Sequence, residues 1–592
     1  MAMGLAVYLA VEARGIAGVA GLSAPETYWL AACGVIGVGC GLVVLLARLA
    51  ARVGPRVADA LSGVSLGTLA FAVVLDTRLY GLVGHHLTDA DLWQTMSNPG
   101  VEREVHLGAA TWTSMGGLLA LLIAVPLAGL RLLRRRAAPL LPRLGRWATG
   151  VLMTLSVGGL MGAVLFGGER LTEALPLGAG RVGGELPAVS ATSITYPPAV
   201  PETARLKDRP DVLFVLVESL RADTETTGLL PRLGEFARRH PPLRSDRHFS
   251  GGHSTEFGTF TALYSLWSYH FVPFSKRPVA EAPRAFPLEV LRKNGYRTVG
   301  ASASMLEGWN DADFIVTQLD SYAEHLEEHD GAGDTAAAAA IQEALDVREQ
   351  PTFAFLFLNA THHNYHYPPE FARHEPVLPE GYDHFMGDDK LLAYRDQITN
   401  RYKNAALFVD ATIARLLTRY EARIASGELI VVVTGDHGEE FWDHGLLGHS
   451  APRFFNERLR VPLLAWLPGQ HGKAVALSTH PDLWPTVFDA LGLDLGTVDW
   501  TNGESLLRPR IGPVFIGSTT YPFKSARACL VDHQTKWWLE RCAGSPWCLR
   551  ATRTTDHADE DLTITPELRA RLDGHLSAFR ARSERFLSVT VE

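Results

Sequence analysis

The sequence predicts a multi-pass α-helical membrane domain followed by an α/β domain with a largely parallel central sheet flanked by helices. Three observations carry this. Residues 1–168 are dominated by Ala, Gly, Leu and Val and contain apolar stretches long enough to cross a bilayer. Beyond about residue 208, short buried-type apolar runs alternate with stretches of helical periodicity, the pattern of parallel strands joined by helical crossovers. The 592-residue length exceeds one typical domain.

In the first part, the segments 27–47, 57–82, 107–130 and 147–167 each have the length and apolarity of a membrane span. A fifth, 2–22, is interrupted by Glu12 and Arg14. The loop after 27–47 carries Arg48, Arg52 and Arg56, and the loop 131–146 carries Arg131, Arg134, Arg135, Arg136, Arg143 and Arg146. The intervening loop is acidic, with Asp89, Asp91, Glu102 and Glu104. By the positive-inside rule the Arg-rich loops are cytoplasmic, which five spans satisfy. The amino terminus then lies inside, and everything after residue 168 lies outside the cytoplasmic membrane. The acidic residue in 2–22 and the spans that follow argue against a cleaved signal peptide. The net charge of −9 is spread through the chain without a basic stripe, which excludes nucleic acid as the expected partner.

Residues 169–207, rich in Gly, Pro, Ala, Ser and Thr, read as a linker or an extended strap. The domain from 208 to 592 opens with a strand at 211–217. Further strands are expected near 297–302, 352–359, 429–434 and 461–466. Helices are expected near 228–240, 255–268, 285–294, 336–347, 396–420 and 482–491. A small C-terminal subdomain from about 521 holds a hairpin at 528–541 and a helix from Pro566, capped by Thr565, to about 588. Cys542 and Cys548 are the closest pair for a disulfide in the exported part.

Four polar clusters sit at element ends. The apolar run Leu429–Thr434 stops at Gly435-Asp436-His437-Gly438, an acid and an imidazole where open α/β sheets place ligands, and a usable pair for a divalent ion. Glu218 ends the first strand, so two acids from separate strands project toward one sheet edge. Ser250-Gly-Gly-His253-Ser254-Thr255 leads into a helix whose amino terminus favours a phosphate or sulfate. A hydroxyl there, Thr255 or Ser254, is an ordinary N-cap or a nucleophile activated by a divalent ion. The loop Asn359–Pro368 holds His362, His363 and His366, which suit substrate oxygens, a second metal or leaving-group protonation.

This combination of strand-Glu-Ser, helix-starting Thr and strand-Gly-Asp-His-Gly-Glu with a later His resembles the membrane-anchored branch of the alkaline phosphatase and sulfatase superfamily. That branch includes lipoteichoic-acid synthases, phosphoethanolamine and phosphoglycerol transferases, and the YejM-like inner-membrane proteins. The resemblance covers residues 208–520 and implies an alkaline-phosphatase/sulfatase-like domain exported to the periplasmic side of a bacterial inner membrane. It implies Glu218, Thr255, Asp436 and His437 as ligands of a divalent metal, Zn²⁺ or Mn²⁺, with Mg²⁺ or Ca²⁺ as alternatives. Thr255, ten residues before Ser265, is then both ligand and nucleophile in preference to Ser254, and His449 and His363 or His362 bind substrate. His444 has no counterpart in the pattern. The implied activity is transfer of phosphoglycerol or phosphoethanolamine, or phosphatase or phosphodiesterase action, on a membrane phospholipid or an envelope glycolipid or glycan. The alternative is a YejM-like lipid-binding regulator of envelope lipid homeostasis with little or no turnover. Sulfatases of the formylglycine type carry Cys-x-Pro-x-Arg or Ser-x-Pro-x-Arg. Here the matching residues are Thr255-Glu-Phe-Gly-Thr259, and a threonine cannot give that aldehyde.

Overall fold

The computed structural model describes residues 189–591, apart from 276, 308–311, 328, 380–381, 383–387, 450–452, 520–525 and 543–546, together with short stretches between 64 and 124. The chain divides into two compact units, residues 1–185 with 385–388, and the remainder. The five expected spans lie almost wholly outside the described residues. Among the described residues no helix is long and apolar enough to cross a membrane.

The second unit is built on an eight-stranded sheet. In chain order its strands are β1 (Asp211–Val217), β2 (Leu243–Ser245), β3 (Arg297–Ser302), β4 (Ser321–Glu324), β5 (Thr352–Leu358), β6 (Leu429–Gly435), β7 (Leu463–Trp466) and β8 (Ala474–Val475). Across the sheet they lie in the order β8-β2-β7-β6-β1-β5-β3-β4. All run in one direction except β7, which is antiparallel to both β6 and β2. The expected, largely parallel sheet is therefore mixed. The apolar run at β7 specifies burial on both faces, and composition carries no information on direction. The short outer strands β2, β4 and β8 had no periodicity long enough to register.

Helices cover both faces. They are α1 (Pro231–Arg239), α2 (Thr255–Tyr264), α3 (Phe286–Lys293), α4 (Ala332–Asp346), α5 (Arg395–Arg419) and α6 (Leu483–Ala490). Alternation along β1 divides the core between them. Val212, Phe214 and Leu216 pack with Phe260 and Leu263 of α2, Leu288 and Leu291 of α3, and Trp484 and Val487 of α6. Leu213, Val215 and Val217 face Leu233 and Phe236 of α1, Ile341 and Leu345 of α4, and Val409 and Ile413 of α5. Expected helix 255–268 ends early, at Tyr264, because Ser265 turns into the left-handed region at φ 60°.

The segment expected as linker or strap is, from Val189 to Ile194, a strand paired antiparallel with Leu587–Val591. Chain entry into this unit is thereby stitched to the carboxy-terminal end. The C-terminal subdomain is a four-stranded antiparallel sheet of Val514–Thr519, Ala526–Val531, Lys536–Arg541 and Leu549–Thr555. Helix α7 (Pro566–Ser583) follows, with Thr565 capping Leu568 N at 3.3 Å. The Cys542–Cys548 disulfide is present, with Cα atoms 5.2 Å apart.

A single buried carboxylate joins two helices of one face. Asp410 of α5 accepts hydrogen bonds from Arg232 N and Leu233 N, at 3.0 and 2.8 Å, capping α1 in place of the apolar Leu230. Asp410→Ala leaves two helix-terminal N–H groups unpaired. It should lower stability by about 1–2 kcal/mol, read as a lower midpoint in urea with unchanged metal content.

Candidate active site

Glu218 and Asp436 are brought together by backbone pairing. The parallel register of β1 and β6 sets Val217 beside Gly435, so the next residue on each strand emerges at the same sheet edge. Both carboxylates are buried, at 1% and 0% exposure. Ser219 N and His437 N each donate to Asp436 Oδ1, at 2.9 and 2.6 Å. Ser219 reaches this arrangement by adopting φ 56°, in the left-handed region. The other oxygen, Asp436 Oδ2, is buried without a hydrogen-bond partner. Such an orphan costs free energy unless a cation faces it.

His437 and Thr255 complete the cluster. His437 Nε2 lies 3.1 Å from Glu218 Oε1 and 3.5 Å from Asp436 Oδ2. Thr255 Oγ1 donates to Glu218 Oε2 at 3.0 Å and is 3.5 Å from His437 Nε2. His437 Nδ1 stands 2.8 Å from Gly438 O, which calls for a proton on Nδ1 and leaves Nε2 toward the two acids. Burial would lower the imidazole, but Asp436 and Glu218 outweigh it and raise His437 to about 10. Burial likewise raises Glu218, yet His437 holds it below the ordinary carboxylate range. Asp436 is raised, by burial and then by repulsion from Glu218. Nε2, Oε1, Oδ2 and Oγ1 thus gather around one point, where two buried acids favour positive charge. A divalent ion fits that demand and that donor set. Glu218, His437 and His449 also present ligand atoms within 4.8 Å of one another.

Small residues and one buried imidazole hold α2 against the Asp436-His437 loop. A Cβ at Gly258 would lie 2.3 Å from the backbone oxygen of Asp436, so only glycine lets the helix approach. His480 is fully buried between them. Its Nε2 stands 2.9 Å from Gly435 O, and its Nδ1 faces Gly251 N and Thr261 Oγ1 at 3.4 and 3.3 Å. Nδ1 also lies 3.1 Å from Gly258 O, and burial lowers His480 to about 4.

The remaining histidines line one side. His449 Nδ1 is 2.6 Å from Glu439 Oε2, and its ring lies 4.2 Å from that of His437. The His362 ring is 5.6 Å from His449 and 4.1 Å from His363, so this group is continuous with the ligand cluster. Ser254 differs: its Oγ donates to Glu256 Oε1 at 2.9 Å, and it supplies no side-chain cap to α2. His444, half-buried, is 2.9 Å from Glu457 and stacks on Phe455.

Four contributors were not singled out from sequence. Glu439, buried, orients His449 and accepts Tyr365 OH at 2.8 Å. Burial raises its carboxyl, but His449 and Tyr365 bring it down to about 2. Ser219 Oγ lies within 3.5 Å of Glu218, Glu439 and His449. Asp334, at the start of α4, accepts Asn359 N and Ala360 N at 2.9 and 3.1 Å and so pins the histidine loop. Thr361 ties the same loop to Glu218 O at 2.5 Å. The Glu after Asp-His-Gly was visible as part of the motif; the other contacts join residues far apart in sequence.

Two expectations follow. Gly258→Ala drives a methyl into backbone that cannot yield, so stability should fall by about 1–3 kcal/mol, with loss of bound metal in elemental analysis. Asp334 is raised to about 7 by burial, against the backbone N–H groups of Ala360 and Asn359 that lower it. Its folded-state pKa exceeds the unfolded value, so its contribution is complete below about pH 4. That contribution is lost as pH rises through about 7. Melting temperatures of wild type and Asp334→Asn across this window should show the wild-type advantage shrinking as pH rises.

The Sulfatase family model matches residues 210–493. Over 137 residues the chain is 26% identical to phosphatidylethanolamine transferase Mcr-2 of Escherichia coli, covering 22% of this chain and 24% of that protein. The matched stretch thus spans about a quarter of that relative's length. Among solved structures, the phosphonate monoester hydrolase of Agrobacterium radiobacter aligns with TM-score 0.48 and 17% identity, covering 64% of this chain and 96% of that one. The lipoteichoic acid synthase LtaP of Listeria monocytogenes aligns with TM-score 0.48 and 15% identity, covering 65% and 95%. The matched residues 210–493 contain β1, α2 and the Asp436-His437 loop.

Proposed function

We propose that the protein is a metal-dependent phosphoryl-group transferase or phosphodiesterase of the bacterial inner membrane, with its catalytic domain on the periplasmic side and Thr255 as nucleophile. One observation carries the reading. Thr255 Oγ1 sits at the amino terminus of a buried helix, 3.0 Å from Glu218 and 3.5 Å from His437 Nε2, where two buried carboxylates demand a cation.

Glu218, Thr255, Asp436 and His437 would hold the divalent ion, whose chemistry is to acidify the threonine hydroxyl and neutralise phosphoryl charge. Helix α2 orients Thr255 and offers its amino-terminal N–H groups and dipole to phosphoryl oxygens. Thr255 Oγ1 attacks phosphorus in line, and the bond to the lipid alcohol breaks. The departing oxygen takes a proton from the histidine group of His449, His363 and His362. Glu439 fixes the His449 ring through Nδ1, which leaves Nε2 for that transfer. An acceptor hydroxyl or water then displaces Thr255 and regenerates it. Threonine excludes the aldehyde hydrate of formylglycine enzymes, which favours phosphate over sulfate esters. A membrane phospholipid such as phosphatidylethanolamine or phosphatidylglycerol suits the donor role, with an envelope glycolipid or glycan as acceptor.

Full-length protein in detergent, assayed on a phosphodiester, tests this. Thr255→Ala should lose activity by on the order of a thousandfold or more with an unchanged melting temperature. Intact-mass and peptide analysis of the wild type should trap phosphate on Thr255. Chelation should abolish turnover, and Zn²⁺ or Mn²⁺ should restore it. Full activity in Thr255→Ala would overturn the assignment.

A further inference from the structure

Tyr365 lies on the loop that carries His362 and His363, and its hydroxyl reaches across to the loop that carries Asp436 and His437. The side chain is fully buried. Its O–H donates to Glu439 Oε1 at 2.8 Å. Glu439 Oε2 in turn stands 2.6 Å from His449 Nδ1. The three side chains therefore link the histidine loop to a ring that serves as proton donor in the proposed reaction. Burial, and then the charge of Glu439, raise the phenol, so the hydroxyl keeps its proton and donates to the carboxylate.

The surrounding backbone holds Tyr365 in this place. The residue adopts φ 58°, in the left-handed region, which costs an aromatic residue free energy and persists only where its surroundings fix it. Arg401 of α5, itself buried, supplies that fixing. Its Nε donates to Asn364 O at 2.8 Å and its Nη2 to Tyr365 O at 3.0 Å. Tyr365 N closes the turn on His362 O at 2.6 Å. The ring stands edge-on to Tyr402 and against Phe441, with centroids 5.6 and 5.7 Å apart. Glu439 is held from its own side, since Arg221 Nη1 donates to Glu439 O at 3.1 Å. A buried carboxylate has two oxygens to satisfy. With Tyr365 on Oε1, the other oxygen is left to His449, with Ser219 Oγ at 3.5 Å.

We propose that Tyr365 is a positioning residue for proton transfer: by occupying Glu439 Oε1 it fixes the carboxylate so that Oε2 aligns the His449 ring through Nδ1. This rests on the phosphoryl-transfer reading, in which His449 gives a proton to the departing oxygen, and adds the group that sets the orientation of that ring. Tyr365 acts through Glu439 and keeps its own proton throughout. The help a proton donor gives grows with the basicity of the leaving oxygen. The Tyr365-Glu439-His449 chain therefore serves alcohol leaving groups, such as a lipid glycerol, far more than phenols that depart as stable anions.

The test uses the full-length, metal-loaded protein in detergent and a series of methyl aryl phosphodiesters whose leaving groups run from p-nitrophenol to phenol. Tyr365→Phe should lower kcat about tenfold on the phenyl ester and much less on the p-nitrophenyl ester, with KM and metal content unchanged. His449→Ala should show the same steepened dependence on the leaving group. Tyr365→Phe placed in that background should steepen it no further. If Tyr365→Phe fails to fold, Glu439→Gln reads the same link, because it keeps an acceptor for Tyr365 and turns an amide N–H toward His449 Nδ1; the same steepening is expected. A loss equal across the series, or one that adds to that of His449→Ala, would overturn the assignment and make Tyr365 structural, while leaving the Thr255 mechanism standing. Turnover of no ester by the wild type would overturn the phosphoryl reading and this link with it.

Discussion

Glu218 and Asp436 are forced into contact by the pairing of β1 with β6, and much of the surrounding structure answers to that constraint. Asp436 N donates to Val217 O at 3.1 Å, and Glu218 N donates to Leu358 O at 2.9 Å, so neither residue can retreat without breaking the sheet. Two ionised carboxylates in a dry interior repel and are each costly to desolvate. The chain offsets this with directed N–H groups on one side and an imidazole on the other. Ser219 accepts a strained backbone to turn its N–H back onto Asp436. His437 is fixed by the Gly438 carbonyl, so its other nitrogen meets both acids. What these groups leave without a hydrogen bond is Asp436 Oδ2, 3.5 Å from His437 Nε2, and a cation would satisfy it.

Holding Thr255 at this point requires agreement between two layers that are distant in sequence. Helix α2 belongs to the layer on the Phe214 side of the sheet, while the loop it serves hangs from the sheet edge. Gly258 allows backbone contact between them, and His480 bridges the carbonyl of Gly435 and the amide of Gly251. The C-terminal sheet contributes from outside. Gly517 N donates to Ser268 Oγ at 3.1 Å, and Ser268 Oγ donates to Gly251 O at 3.0 Å. The subdomain after residue 513 is therefore a support for the turn that carries His253 and Thr255 as well as an appendage on the fold.

The elements that were legible in the sequence were those specified locally. Apolar runs marked β1, β3, β5 and β6 to within a residue, because strands buried on both faces need continuous hydrophobicity. The helices α1, α3 and α5 followed from their periodicity. The reversal of β7 escaped, since strand direction depends on connection geometry. Strand β8 at one edge and β2 beside it escaped because two or three residues show no period. At the site, each candidate residue that lies in a motif was visible: Glu218 at a strand end, Thr255 at a helix start, Asp436 and His437 after a glycine. The residues that position them were not. Asp334, Tyr365 and His480 act on partners 25, 74 and 45 residues away, and nothing in their local sequence distinguishes them from ordinary core polar groups.

The histidines illustrate how environment, rather than residue type, assigns a role. His437 lies between two acids, which face its Nε2 and raise its pKa. His480 meets only carbonyls, a hydroxyl and an amide, and burial keeps it neutral and structural. His449 lies between these cases. Burial and the neighbouring His437 disfavour its charged form, while Glu439 favours it. A ring so balanced, with Nδ1 tethered and its charge opposed by one neighbour and supported by another, is suited to exchanging a proton. Glu439 is itself held ionised by His449 and Tyr365. Glu439, which fixes His449, and Asp436, which faces His437, stand three residues apart on one loop.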